Sequence, residues 1–238
     1  LLQAQKSGIA ALELEGRVLC GYMAMIQGSG VVACSEVENA WQVTARINPE
    51  SLPLYVLPLH VLSASLFLHL GDVDSYREQR RQLSERFGRN RVQQGTLGIE
   101  LYLLDVEACL LEGDWDTAAE KVRIGSAEGT AADNPHLRSW LLQYRALLHA
   151  HSGRVEEAKQ DVQESLCLRE QAGEGVHLLE NLVVCAEVFL QLDELDAAQE
   201  LLQRALDFSQ ASGELFVQPA IHAALTRLFQ RQGLTVLA

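Results

Sequence analysis

Proline is scarce in this 238-residue chain, with five residues, and methionine scarcer still, with two. Few prolines leave long stretches free of the residue that lacks an N–H and breaks helices. No apolar run approaches the roughly 18 residues of a membrane span, which excludes a helical anchor within the segment. Basic residues are also in deficit: 19 Lys and Arg stand against 32 Asp and Glu, a formal charge of −13. Nucleic-acid affinity rests largely on neutralising phosphates with Lys and Arg, so direct nucleic-acid contact by this segment is not expected.

Chemical motifs are missing as well. The chain has no Gly-rich phosphate loop ending in Lys and Ser or Thr, no H-E-x-x-H, no C-x-x-C and no G-x-S-x-G elbow. His149 and His151 lie two apart, which turns them away from each other on a helix, so a shared metal is not expected. The reading is therefore a non-enzyme without catalytic residues, metal or cofactor. Cys20, Cys34, Cys109, Cys167 and Cys185 are odd in number and sit inside helical patterns, as reduced core thiols of a cytoplasmic protein would. There is no signal-peptide pattern and no initiator Met, so the chain reads as a segment of a longer protein.

What is present is a recurring turn. Gly28, Gly71, Gly113, Gly153, Asp193 and Gly233 each end one amphipathic pattern and open another, at intervals of 43, 42, 40, 40 and 40 residues. A fixed period in this range points to stacked helix pairs. A solenoid core grows with repeat number, so residues 1–238 are expected to form one all-α domain. Asn134 before Pro135 is a start signal, and Gly173 and Gly213 stand where a helix end wants a left-handed residue. Asn48, Pro49 and Pro53 interrupt the pattern. Pro58 is expected to delay the helix that follows, which is set at Leu54 to Leu70 and is apolar almost all round. The polar run EGTAADN is read as a long connection, and the last helix is placed from Leu215.

Five residues after the turn comes Ala33, Ala118, Ala158 or Ala198, and seven before it comes Gly21, Ala64, Ala146 or Ala186. Small residues at both places let the paired helices approach closely. Tyr76 and Val106 depart from this rule, so less regular packing is expected around them.

The runs GDWDTA and DELDAAQELLQRAL resemble the turn and second helix of the tetratricopeptide repeat. The resemblance implies a right-handed superhelix of antiparallel helix pairs, with longer helices than the usual repeat of about 34 residues. Long repeats of this kind resemble the sensor domain of MalT-like, ATP-dependent LuxR-type transcriptional regulators. That implies a signal-responsive segment that senses an effector and binds other domains of its parent protein, with ATPase and DNA-binding units elsewhere. The alternative is a peptide-binding tetratricopeptide adaptor or scaffold.

In such superhelices the first helix of each pair lines a concave groove. Counting back from the turns places Glu100 and Glu107, then Trp140 and Gln143, then Glu180 and Glu187, and finally Arg227 in that groove. The expected occupant is a small cationic or hydroxyl-rich effector or a basic peptide, with Trp140 as a stacking platform. The plainer reading is that the acids keep an open face soluble and Trp140 packs between repeats. A basic island, Arg77, Arg80, Arg81, Arg86, Arg89 and Arg91, is the second candidate. It is read either as a docking patch for an acidic neighbour domain or a nucleotide phosphate, or as a solvated helix with local partners such as Glu85.

Overall fold

A computed structural model describes residues 9–47, 52–87, 95–127, 134–172 and 175–234. These form eleven α-helices and no strand among the described residues. The expectations placed on Asn48, Pro49, Arg89, Arg91, Gly173 and most of EGTAADN fall outside them. The chain divides into two compact units, Leu1–Asp114 and Trp115–Ala238.

The first unit holds α1 (Ala10–Ile26), α2 (Gly30–Thr44), α3 (Leu52–His69), α4 (Val73–Phe87) and α5 (Gly95–Leu111). Each helix packs on its successor in sequence, and α1 also meets α3, as α3 meets α5. Val56, Leu59, Leu62 and Ala64 are all buried on α3, as its continuous apolar sequence requires. Pro58 does not delay this helix: α3 begins at Leu52, ahead of both Pro53 and Pro58, and Pro58 lies in its interior. An interior proline costs about 3 kcal/mol in a helix. Burial along α3 from Val56 to Leu68 offsets that cost. Gly21 is buried where an added Cβ would stand 2.7 Å from Leu62 Cδ2. Its small size therefore serves the approach of α1 to α3, the helix of the next pair, more than the approach of α1 to its own partner α2.

The second unit holds α6 (Trp115–Ala127), α7 (Pro135–His151), α8 (Val155–Ala172), α9 (Gly175–Gln191), α10 (Leu195–Ser212) and α11 (Gln218–Arg231). The same packing appears within it, with α7 on α8 and α9, and α9 on α10 and α11. Ala146, Ala158, Ala186 and Ala198 are completely buried in its core. Asn134 caps α7 as expected, its side chain accepting from the N–H groups of His136 at 3.0 Å and Leu137 at 3.3 Å. The last helix starts at Gln218, three residues later than expected, with Pro219 in its first turn. That proline suits a position whose N–H has no helical partner, and it was the start signal to read.

All six turn residues have left-handed backbone, including the one non-glycine, Asp193, at φ 60°. At each, two hydrogen bonds close the helix end. The turn residue donates to the carbonyl three residues back, and the next residue donates to the carbonyl five back, as in Gly113 to Leu110 at 3.1 Å and Asp114 to Cys109 at 2.8 Å. This is the Schellman closure, which satisfies carbonyls that a helix end leaves open. Gly213 closes α10 with a single bond to Ser209 at 2.9 Å. All five cysteines are free, but Cys167 is exposed and so is not a core thiol.

Candidate binding site

On α7, residues 136, 140, 143 and 144 share one face through their spacing of three and four. Trp140 is 9% exposed, and its Nε1 donates to Tyr144 Oη at 3.0 Å. It is thus held in the wall rather than presented flat to solvent. Gln143 is buried, and its Oε1 accepts from Asn181 Nδ2 of α9 at 2.6 Å. Asn181 also donates to Ser165 Oγ of α8 at 2.7 Å, so one amide ties three helices together. Ser165 Oγ in turn donates to the Ser139 carbonyl at 2.8 Å.

His177, near the start of α9, joins this face. Its ring lies 4.5 Å from that of His136 and 6.4 Å from that of Trp140, and its Nδ1 lies 3.6 Å from Glu180 Oε2. Below His136 the guanidinium of Arg169 is buried and contacts His136 Nδ1. Glu214, in the loop before α11, is 8% exposed, and its Oε2 has no hydrogen-bond partner. Burial and the charge of Glu180 push its carboxyl above the usual range, while His177 opposes them. The Oδ1 of buried Asn181 is a second unanswered acceptor. Leaving such a group unmatched costs about 1–3 kcal/mol.

The remaining residues selected from sequence fall elsewhere. Glu187 of α9 pairs with Arg227 of α11, so two of the groove candidates neutralise each other. Glu100 and Glu107 are half-buried on α5 in the first unit. His149 and His151 face different neighbours: His149 Nδ1 is 3.3 Å from Asp161 Oδ2, and His151 stacks on Trp115 with ring centroids 4.0 Å apart. Among the described residues no group of three or more His, Cys, Asp or Glu is placed to hold a metal ion, and no helix is long and apolar enough to cross a membrane.

The basic island is resolved into separate roles. Arg77 Nη2 donates to Glu112 Oε2 at 2.7 Å. Arg80 Nη2 donates to Asp105 Oδ2 at 3.1 Å. Arg81 pairs with Glu78 at 2.7 Å and Glu85 at 2.5 Å. Arg86 lies in the last turn of α4.

His136, His177, Arg169, Asn181 and Glu214 were not singled out from the sequence. They come from three helices and a loop, so no spacing along the chain brings them together. The one local signal was Gly213, whose left-handed turn directs the chain back at Glu214. What the assembled face offers is acceptors, the carboxylates of Glu180 and Glu214, beside the rings of Trp140 and His177. A scan of the chain against protein-family models and a search of curated proteins return no match.

Proposed function

We propose that this chain is the effector-sensing and protein-interaction segment of a signal-responsive, ATP-dependent transcriptional regulator, built as a tetratricopeptide-like superhelix with a period near 40 residues. Support comes from the resemblance of GDWDTA and DELDAAQELLQRAL to that repeat, from the six turns with one geometry, and from the packing of α1 on α3 and of α7 on α9. The effector binds the face of the second unit formed by Trp140, His177, Glu180 and Glu214. The carrying observation is Glu214 Oε2, a buried acceptor without a partner, beside a second carboxylate and aromatic edges. A cationic or hydroxyl-rich molecule supplies the donor that Glu214 Oε2 lacks, and the ring of Trp140 adds an apolar wall. An effector switches the protein only through unequal affinity for its two states, so the segment must differ between them at this face.

Thermal unfolding of the chain against spermidine, neutral oligosaccharides, a Lys-rich peptide and a Glu-rich peptide tests the reading. A ligand at a hundred times its dissociation constant adds about 2.7 kcal/mol to the folded state. Stabilisation by a small cation or sugar is expected. Stabilisation by peptides alone overturns the sensor in favour of the adaptor. The observation favouring that second reading is the exposed apolar stripe of α1, where Leu12, Leu19 and Met23 fall on one face, with Ile9 exposed just before the helix.

A further inference from the structure

A separate feature lies in the first unit. Residues 77, 80, 81, 84 and 85 of α4 share one helical face through their spacing. There Arg77, Arg80, Arg81, Ser84 and Glu85 line an open cavity of about 380 Å³. Its volume falls within the range of small-ligand sites. Three guanidinium groups and one carboxylate line this wall, and Glu78, Asp105 and Glu112 pair with the guanidiniums from beside it, in a chain whose formal charge is −13.

We propose that this cavity binds a phosphorylated small molecule through its phosphate group. The donors in the wall are of the right kind: guanidinium forks match phosphate oxygens in pairs and stay charged at any physiological pH. Arg80 Nε is buried with no hydrogen-bond partner, although Arg80 Nη2 is held by Asp105. The group is thereby fixed in place with a donor unused. Among the described residues Arg81 is held by Glu78 and Glu85 alone, and all three side chains are more than half exposed. Exposed pairs of this sort contribute little, so an incoming dianion exchanges with a carboxylate at small cost.

The same charges decide the size of the ligand. A phosphate in the cavity lies within about 8 Å, the screening length at physiological salt, of the three arginines and of the carboxylates paired with them, so it binds by taking the place of those carboxylates on the guanidinium forks. A nucleic acid or a long acidic chain spans the rest of an acidic surface and is repelled. A small phosphate ester or a diphosphate suits both conditions.

The test is titration of the 238-residue chain with orthophosphate and pyrophosphate at constant ionic strength set by chloride, followed by ³¹P line broadening. Arg81→Gln and Arg77→Gln remove one guanidinium each from exposed or half-exposed positions, and Arg123→Gln, an exposed arginine of α6, removes the same charge elsewhere. Saturable broadening is expected, with affinity reduced about tenfold in each of the first two variants, the size of one charge-assisted hydrogen bond, and unchanged in Arg123→Gln. Helical circular dichroism retained in each variant keeps the comparison valid. Absence of saturation overturns the proposal, as does an equal loss in Arg123→Gln. Binding of a tetraglutamate peptide in place of either phosphate overturns it too, since the patch is then a docking surface for acidic protein.

Discussion

Tyr76 donates its hydroxyl to Asp105 Oδ1 at 2.6 Å, joining α4 to α5 at a point where Tyr76 is completely buried. Asp105 also holds Arg80, so one carboxylate satisfies a phenol and a guanidinium. This explains why a large residue occupies a position filled by alanine in other pairs: the side chain is used as a polar tie. Tyr76→Phe keeps the ring and strands one acceptor site of the carboxylate. The expected loss is about 1–3 kcal/mol in urea unfolding. Tyr76→Ala, which also leaves a cavity, is expected to cost about 3–5 kcal/mol.

The six turns make a paired prediction. Gly153 sits at φ 73°, where an added Cβ meets no atom within 4 Å, so a substitution there reports backbone strain alone. Gly153→Ala is expected to cost about 1–2 kcal/mol. Asp193 adopts the same conformation without glycine's freedom, and its contact with Arg231 at 3.4 Å is exposed. Asp193→Gly is therefore expected to gain about 0.5–1 kcal/mol, read as a higher urea midpoint at constant slope.

Gly21 tests the close approach of α1 to α3. In an exposed helix, Gly→Ala gains about 1 kcal/mol. Here the new methyl group meets Leu62, itself completely buried, and overpacking of this kind costs about 1–3 kcal/mol. The net expectation is a loss of about 1 kcal/mol, and Gly21→Ala is expected to be less harmful, or favourable, in a Leu62→Ala background. Additive behaviour of the two substitutions contradicts the contact.

Two carboxyls predict opposite pH behaviour. The hydrogen bond from Arg46, the largest influence on Glu13, lowers its pKa, with Arg17 acting in the same direction against burial. A lowered carboxyl contributes stability above its ordinary value that is lost as pH falls through the folded value. Glu13→Gln is thus destabilising at neutral pH, by a margin that shrinks in acid. Glu214, raised by burial and Glu180, has the reverse sign. The folded chain holds its proton more tightly than the unfolded chain does, so stability falls as pH rises from about 4.5 through the raised value. Glu214→Gln is expected to melt above the parent protein at about pH 7.5 and close to it at about pH 4. Thermal melts of both variants across that range check the two signs together.

Local chemistry made much of the helical layout legible. Asn134 and Pro135 announced α7, and the turn glycines announced helix ends, because caps and left-handed residues act through their own backbone. Pro58 misled because its cost is local while its compensation, the burial of α3, is tertiary. The same divide runs through the candidate sites. Arg81 with Glu85 follows from helical spacing alone. Arg80 with Asp105, separated by 25 residues, does not. Trp140 and Gln143 were placed on the right helix, yet their burial depends on Tyr144 and Asn181, the latter supplied by another helix. Glu214 belongs to a loop and is defined only by what surrounds it.

The most direct test of the sensing account is isothermal titration of the parent chain and of Glu180→Gln with Glu214→Gln combined, using the small cation or sugar that stabilises the parent protein. Calorimetry is the appropriate measurement because Glu214→Gln alters the melting temperature on its own. The account predicts saturable heat in the parent chain and at least a tenfold weaker affinity in the double variant, one charge-assisted hydrogen bond or more. Equal affinity in the two proteins contradicts it and removes this face as the effector site.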